Sequence, residues 1–260
     1  MKKILFFDID GTLWNHHNEI PDSTIAAIKQ ARKNGHLAFI CSGRARGYIR
    51  DEELLGIGFD GIVSGCGTMA EYNGEILDYY QLDVGLLNRT IEIVRKYGMK
   101  PILEGREYLY FDNEDFETNL YGKKLKSELK ERWRQIKEYQ GVWEASKLSC
   151  DTRDADRENC FKELEKDFDF IIHNENICEI VPKGYHKGVG MRKVCEKLGI
   201  DTKDTFAFGD SVNDIGMFLT AGTGVAMGNG SNEIKAVADY VTDSMNHDGI
   251  WKACKHFGII

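Results

Sequence analysis

The stretch ILFFDIDGT, residues 4–12, decides how the chain is expected to fold. Consecutive apolar residues that end in acids are typical of a strand buried on both faces of a parallel sheet. The run is too short for a membrane span or for the apolar segment of a signal peptide. The sequence therefore predicts a buried strand at residues 3–7, with Asp8 and Asp10 just past its carboxyl end.

Helical and strand-like segments alternate downstream of this stretch. A helix is predicted over residues 21–34, with Gly35 just past its end, and a second helix runs to about Leu55. Helices between apolar runs predict right-handed crossovers and parallel strands. Asn73-Gly74 lies between two short runs and is a strong hairpin signal. The predicted strands after the first are residues 36–41, 59–64, 69–72 and 75–79.

The middle of the chain has a different pattern. A helix is expected over residues 86–97, and a long, solvated helix over residues 117–139, which are rich in Lys and Glu. Short strand-like pieces follow at residues 142–148, 168–173 and 177–181. The first pattern resumes at Lys187, with a helix to residue 198, a strand at 205–208, a helix from about residue 213 and a strand near 224–227.

These two patterns predict an α/β fold with two domains. Residues 1–81 and 186–260 are expected to form a doubly wound, mostly parallel Rossmann-like core. Residues 82–185 are expected to form an inserted α+β domain, which lies within the usual range of domain sizes.

Composition narrows the class of protein. The chain has 260 residues, a formal net charge of −8 and seven cysteines without a C-x-x-C pair. The acidic balance argues against a nucleic-acid partner, and the apolar runs are too short for a membrane protein. The odd number and spacing of the cysteines favour a reducing, cytoplasmic location over a zinc site or a disulfide framework.

Polar segments follow several of the predicted core strands. They are Asp8 to Thr12, Ser42-Gly43, and Gly209 to Asp214, while Lys187 opens the helix before the last of these strands. Ligands of open parallel sheets bind beyond the carboxyl ends of the strands, so these segments are expected to form one site.

The residue types in this site point to phosphoryl transfer. Several carboxylates in one crevice repel each other unless a cation lies among them, and oxygen-only ligands favour Mg²⁺. A carboxylate can attack phosphorus directly, and the transferred group then needs positive charge and hydrogen-bond donors around it. Lys187, Ser42 and backbone N–H groups would supply these, and Gly11 and Gly43 would let the backbone approach the anion.

These motifs resemble the haloacid dehalogenase superfamily. D-x-D-G-T-L matches residues 8–13, a Ser after the second strand matches Ser42, a lysine matches Lys187, and G-D-x-x-N-D matches residues 209–214. Residues 179–188 look like the E-x-x-P-x-G-x-x-K-G motif of the Cof-type subgroup, which carries a type-IIB α/β cap. The resemblance implies a phosphatase whose inserted domain is a cap that closes over the site.

The resemblance also implies a role for each matching residue. Asp8 would be the nucleophile and a Mg²⁺ ligand, and Asp10 would be the general acid and base, with its backbone carbonyl on the metal. Asp210 would be a third metal ligand, and Asp214 would bind the metal directly or through water. Ser42, Lys187 and Asn213 would hold the phosphate, beside the backbone at Gly11 and Gly43 that the residue types already assign to phosphate binding.

The expected activity is hydrolysis of a small phosphomonoester through an aspartyl-phosphate. Sugar phosphates are the first candidate substrates, and phosphorylated cofactors such as FMN or pyridoxal phosphate come next. A phosphomutase of the same superfamily is the main alternative, and a phospho-accepting signalling module is a more distant one. The signalling alternative is disfavoured because receiver domains are much shorter and carry no insert between the acids and the lysine.

Overall fold

A computed structural model of the chain describes residues 2–117 and 120–260. The chain divides into two compact units. The first comprises residues 1–43, 51–79 and 186–260, and the second comprises residues 44–50 and 80–185. The short segment 44–50 therefore groups with the inserted residues.

Strands and helices alternate along the chain. The strands are β1 (Ile4–Phe7), β2 (Leu37–Cys41), β3 (Gly61–Ser64), β4 (Met69–Tyr72), β5 (Glu75–Tyr79), β6 (Lys100–Glu104), β7 (Leu109–Tyr110), β8 (Trp133–Arg134), β9 (Lys147–Asp151), β10 (Phe168–Asn174), β11 (Ile177–Pro182), β12 (Thr205–Gly209), β13 (Thr223–Ala226) and β14 (Tyr240–Val241). The helices are α1 (Asp22–Lys33), α2 (Glu52–Gly56), α3 (Val84–Lys96), α4 (Asn113–Phe116), α5 (Leu120–Leu129), α6 (Arg157–Leu164), α7 (Lys187–Leu198), α8 (Ile215–Phe218), α9 (Asn232–Val237) and α10 (Gly249–His256).

The first unit is built on one sheet with the strand order β14-β13-β12-β1-β2-β3-β4-β5. All neighbours from β14 to β3 are parallel, and the edge strands β4 and β5 are antiparallel. Strand β1 lies in the centre, between β2 and β12, and its four residues are fully buried. The predicted doubly wound, mostly parallel core is confirmed.

Both faces of the central strand are covered, as its uninterrupted apolar sequence predicts. Phe6 packs in a cluster with Phe39 and with Met191 and Val194 of α7. On the other face, Phe7 stacks on Phe208 with ring centroids 4.7 Å apart. These rings fix β1 between its neighbours and so hold the start of the following loop.

The predicted hairpin at Asn73-Gly74 is also confirmed. It joins β4 to β5, and both turn residues have positive φ, at 50° for Asn73 and 80° for Gly74. Two positive φ angles are what a two-residue hairpin of right-handed twist requires, and Asn and Gly adopt them at low cost.

The second unit has its own sheet, with the strand order β10-β11-β9-β6-β7-β8. Its neighbours are antiparallel except for β7 and β8, which are parallel. One apolar cluster joins the sheet to residues of α3 and α6, such as Ile91 and Leu164. A second cluster includes Phe111 and Phe116 together with Leu125 and Leu129 of α5. The inserted segment is therefore an α+β unit with two apolar cores of its own.

The prediction of one long helix over residues 117–139 is wrong. Helix α5 ends at Leu129, Lys130 has a φ of 53°, and the chain then pairs with β7 as strand β8. Thr118 and Asn119, at the start of that predicted helix, lie outside the described residues. Sheet pairing and the stacking of Trp133 on Phe111, with centroids 5.0 Å apart, override the helical propensity of the charged residues.

Two other predicted elements are shifted or shortened. The strand expected at residues 142–148 is found at Lys147–Asp151. The helix expected to run to Leu55 is a 3-10 turn at Arg46–Tyr48 followed by α2. The backbone N–H of Gly47 donates to the carbonyl of Gly105 at 3.1 Å, which holds this segment out of a continuous helix.

No helix of residues 2–117 and 120–260 is long and apolar enough to cross a membrane.

Candidate active site

The ends of three neighbouring core strands bring the predicted acids together. Phe7 of β1 lies in register with Ile40 of β2 and with Phe208 of β12. The backbone N–H of Asp8 donates to the carbonyl of Phe208 at 2.9 Å, so Asp8 continues the strand by one residue. Asp8, Ser42 and Asp210, which follow these strands, therefore lie at one edge of the sheet.

A tight turn follows Asp8 and presents Asp10. The carbonyl of Ile9 accepts hydrogen bonds from the backbone N–H groups of Leu13 and Trp14, at 3.0 and 3.2 Å. Asp10 is exposed, whereas Ile9 and Leu13 are fully buried and anchor the turn from below. The indole Nε1–H of Trp14 donates to Oδ1 of Asp10 at 3.0 Å.

Gly11 makes room for Asp210. It has a φ of 84°, and a Cβ atom placed on it would lie 2.4 Å from Oδ2 of Asp210. The hydroxyl of Thr12 donates to Oδ1 of the same carboxylate at 3.1 Å. The need for glycine at this position thus has a second reason, besides the predicted approach to an anion: a side chain there would displace the carboxylate of Asp210.

Asp214 ties the loop after β12 together. Its Oδ2 accepts hydrogen bonds from the backbone N–H groups of Asp210 and Ser211, at 3.0 and 3.1 Å. Its Oδ1 accepts a hydrogen bond from Lys187 at 2.6 Å, and the side chain is fully buried. Both carboxylate oxygens of Asp214 therefore have donors, which makes it a weaker candidate for direct metal binding than Asp8 or Asp210.

Lys187 connects Asp8, which follows β1, to the loop that follows β12. It is 1% exposed at the start of α7, and its Nζ donates to Oδ1 of Asp8 at 2.5 Å and to Oδ1 of Asn213 at 3.3 Å. A cation at a helix N-terminus is disfavoured by the helix dipole. The carboxylates of Asp8 and Asp214 offset that cost, so the position of Lys187 depends on the acids around it.

Burial and charge shift the pKa values of the central groups. Burial raises the pKa of Asp8 well above its ordinary value, and the neighbouring acids, led by Asp214, add to the rise while Lys187 opposes it. Burial and the charge of Asp214 raise the pKa of Asp210 to about 7. Burial works against the charge of Lys187, but Asp214 and Asp8 together raise its pKa well above the usual value.

The donor set fits a hard divalent cation. Carboxylate oxygens of Asp8, Asp210 and Asp214 lie within 4.8 Å of one another. Burial is the main cause of the raised pKa values of Asp8 and Asp210, and the charges of Asp214 and Asp10 add to both rises. A divalent ion would offset the negative charge of these carboxylates, and an oxygen-only donor set suits a hard cation.

The structure thus brings most of the predicted site residues into one bonded cluster. Lys187 is hydrogen-bonded to Asp8, Asn213 and Asp214, and Asp214 is hydrogen-bonded to the backbone of Asp210. Gly11 packs closely against the carboxylate of Asp210. Ser42 and Gly43 follow the neighbouring strand, where the carbonyl of Ser42 accepts a hydrogen bond from Cys66 at 3.2 Å.

Three residues that the sequence analysis did not assign also contact the site. Thr12 bonds Asp210, Trp14 bonds Asp10, and the side-chain amide of Asn229 donates to the carbonyl of Gly11 at 2.8 Å. Thr12 lies within the D-x-D-G-T-L motif and Trp14 directly follows it, so their positions in the sequence indicate that they lie near the site. Asn229, between Gly228 and Gly230, carried none.

Comparison with known proteins gives the family. The pattern of the haloacid dehalogenase-like hydrolases matches residues 5–254, nearly the whole chain. The chain belongs to this family, whose hydrolases use a divalent metal ion. Within the family it is a Cof-type phosphatase, an enzyme that hydrolyses phosphoric monoesters.

Relatives and solved structures are similar over the full length. YkrA of Bacillus subtilis (strain 168), named as a candidate phosphatase, is 32% identical to this chain. The match covers 99% of this chain and 98% of YkrA. The 5-amino-6-(5-phospho-D-ribitylamino)uracil phosphatase YcsE of the same organism is 30% identical, over 98% of this chain and 95% of YcsE. The solved structure of the subclass IIB sugar phosphatase BT4131 superposes with a TM-score of 0.85 at 28% identity, covering 99% of this chain and 100% of that one.

Proposed function

We propose that the protein is a Mg²⁺-dependent phosphomonoesterase that hydrolyses a small phosphorylated metabolite through an aspartyl-phosphate on Asp8. The observation that carries the proposal is the buried bridge from Lys187 to Asp8 and Asp214. A lysine held at the side of a strand-end carboxylate provides positive charge where a phosphoryl group would be transferred.

In the first half of the reaction, a carboxylate oxygen of Asp8 attacks phosphorus, and the bond from phosphorus to the ester oxygen breaks. Asp10 gives its proton to that leaving oxygen, so the product leaves as an alcohol. Lys187, Ser42 and the backbone N–H groups of the loops would bind the phosphoryl oxygens. Gly43 and Asn213 belong to the same loops and would help to hold the phosphate.

In the second half, the ionised Asp10 accepts a proton from a water molecule, and the resulting hydroxide attacks phosphorus. The bond between Asp8 and phosphorus breaks, which releases inorganic phosphate and restores both carboxyl groups to their starting states. The same residue thus acts first as an acid and then as a base.

Asp8, Asp210 and the backbone carbonyl of Asp10 are the groups that would hold the ion. When bound, Mg²⁺ supplies positive charge that offsets the acids and polarises the phosphoryl group. Such an ion stabilises the charge of the transition state by several kcal/mol. We assign Asp214 an indirect part, because its oxygens already accept hydrogen bonds from Lys187 and from two backbone N–H groups.

The proposed substrates are phosphate esters of small, hydroxyl-rich molecules. The names of the relatives support this class: YcsE acts on a phosphorylated ribitylamino compound, and BT4131 is a sugar phosphatase. Sugar phosphates and that ribitylamino phosphate should therefore be tested first, and FMN and pyridoxal phosphate next.

The test is phosphate release by the purified protein from a panel of such esters, with Mg²⁺ and after chelation by EDTA. Activity should disappear with EDTA and return with added Mg²⁺. Asp8→Asn should abolish release, and borohydride trapping during turnover should modify the wild-type peptide that contains Asp8. The matched control is Asp243→Asn, since Asp243 is also paired with a lysine, at 2.6 Å, but is exposed. Substantial turnover by Asp8→Asn would refute the nucleophile, and full activity in EDTA would refute the metal dependence.

A further inference from the structure

Trp14 makes a specific contact with the residue assigned as acid and base. Its indole Nε1–H donates to Oδ1 of Asp10 at 3.0 Å, and the two residues are also paired as an isolated backbone bridge. Neither the family motif nor the names of the relatives assign a role to this tryptophan.

The two partners differ in how firmly they are held. Trp14 is 4% exposed, and its backbone N–H donates to the carbonyl of Ile9 at 3.2 Å while its carbonyl accepts from Gly11 at 3.0 Å. Asp10, by contrast, is an exposed side chain in the turn. A buried ring with a single N–H donor thus contacts the carboxyl group of an exposed residue.

We propose that Trp14 is a positioning residue that orients the carboxyl group of Asp10 for proton transfer to the leaving group. The proposal rests on the function proposed above. Because Oδ1 accepts the hydrogen bond from the indole, the transferable proton is held on Oδ2. That proton passes to the ester oxygen as its bond to phosphorus breaks, and Oδ2 takes a proton from water in the second half of the reaction.

The dependence of the rate on the leaving group separates this role from a structural one. p-Nitrophenolate leaves as a stable anion and needs little protonation, whereas an alkoxide does not leave without a proton. Loss of the indole N–H should therefore slow the hydrolysis of an alkyl phosphate far more than that of p-nitrophenyl phosphate. Damage to folding or to phosphate binding would slow both reactions equally.

The experiment measures kcat/KM of Trp14→Phe for two substrates. They are p-nitrophenyl phosphate and the primary-alcohol phosphate that the wild type hydrolyses fastest in the panel. We expect about a 10- to 100-fold loss for the alkyl ester, which is part of the 10²- to 10⁴-fold that general acid–base catalysis contributes, and less than about threefold for the aryl ester. If the phenylalanine variant does not fold, benzothienylalanine incorporated at position 14 removes the N–H while keeping the ring.

Two further variants complete the test. Trp143→Phe is the matched control, because Trp143 is 3% exposed and its indole N–H donates to the carbonyl of Ile136 at 2.9 Å in the second unit. It should leave the ratio of the two kcat/KM values unchanged. In an Asp10→Asn background, Trp14→Phe should have no further effect on that ratio, since it acts through Asp10.

Equal losses for both substrates in Trp14→Phe would overturn the positioning role and leave the proposed hydrolysis standing. A further change of the ratio in the Asp10→Asn background would overturn it as well. If the wild type hydrolysed no ester of the panel, the proposed function itself would fail, and the inference would fail with it.

Discussion

Replacing Gly11 by alanine tests how tightly Asp210 is held. The Cβ of alanine would lie 2.4 Å from Oδ2 and 2.7 Å from Cγ of Asp210. Real Cβ contacts do not fall below 3.0 Å, so the carboxylate would have to move by at least about 0.6 Å, the difference between 3.0 and 2.4 Å. That movement would also disturb the hydrogen bond from Thr12 to Asp210.

Gly35 provides the matched control. It follows α1 with a φ of 91°, close to the 84° of Gly11, but a Cβ there would meet nothing within 4 Å. Either alanine should destabilise the fold by about 1–2 kcal/mol, the cost of a left-handed conformation for a residue with a Cβ. Only Gly11→Ala should also impair catalysis, by about 10- to 100-fold in kcat/KM, because a displacement near 1 Å in an active site can cost 10²-fold.

The assay compares both variants with the wild type under identical conditions. Urea unfolding gives the free energy of unfolding, and kcat/KM for p-nitrophenyl phosphate is measured as Mg²⁺ is titrated. We expect similar losses of stability, with a lower maximal rate and weaker activation by Mg²⁺ in Gly11→Ala alone. Equal kcat/KM values for the two alanine variants would refute the argument that Gly11 makes room for Asp210.

Two other changes probe groups outside the site. Lys147 is fully buried between Glu104 and Glu179, at 3.2 and 2.8 Å. Lys147→Met should therefore lower the free energy of unfolding by about 3–5 kcal/mol. The control Lys162→Met removes a lysine from an exposed ion pair and should change that free energy by less than about 1 kcal/mol. Equal losses of unfolding free energy for the two variants in urea would contradict this prediction. Burial lowers the pKa of His36, so the unfolded chain binds the proton more readily. The contribution of His36 to the free energy of unfolding is therefore complete above the unfolded pKa of about 6.5 and is lost as the pH falls below it. His36→Gln should flatten the decline of the unfolding free energy between about pH 7 and pH 5. Parallel plots of unfolding free energy against pH for the variant and the wild type would refute this.

The parallel core was predictable because its signals are local and agree with each other. The apolar run before Asp8, the Gly at the end of α1 and the Asn73-Gly74 turn each favour the local structure that the fold uses. The segment at residues 117–139 misled because its Lys and Glu residues favour a helix in isolation. Its actual structure depends on pairing with β7, which lies more than twenty residues away in the sequence.

The site was predictable to a similar extent and for a similar reason. The acids and the lysine follow strands or open a helix, so the topology of a parallel sheet is enough to bring them together. The buried Lys147 shows the opposite case. A lysine in a strand is expected at the surface, and its burial depends on Glu104 and Glu179, whose contacts no local pattern announces.

The bridge from Lys187 to Asp8 spans 179 residues of sequence, and the bond from Thr12 to Asp210 spans 198. During synthesis, Asp8 and Thr12 emerge long before Lys187 and Asp210, the residues that they contact in the folded protein. A chain that ends before Lys187 or Asp214 therefore cannot form the buried cluster that these residues make with Asp8. Catalytic competence arrives with the last third of the polypeptide, so the enzyme acquires its chemistry only when nearly all of its fold can form.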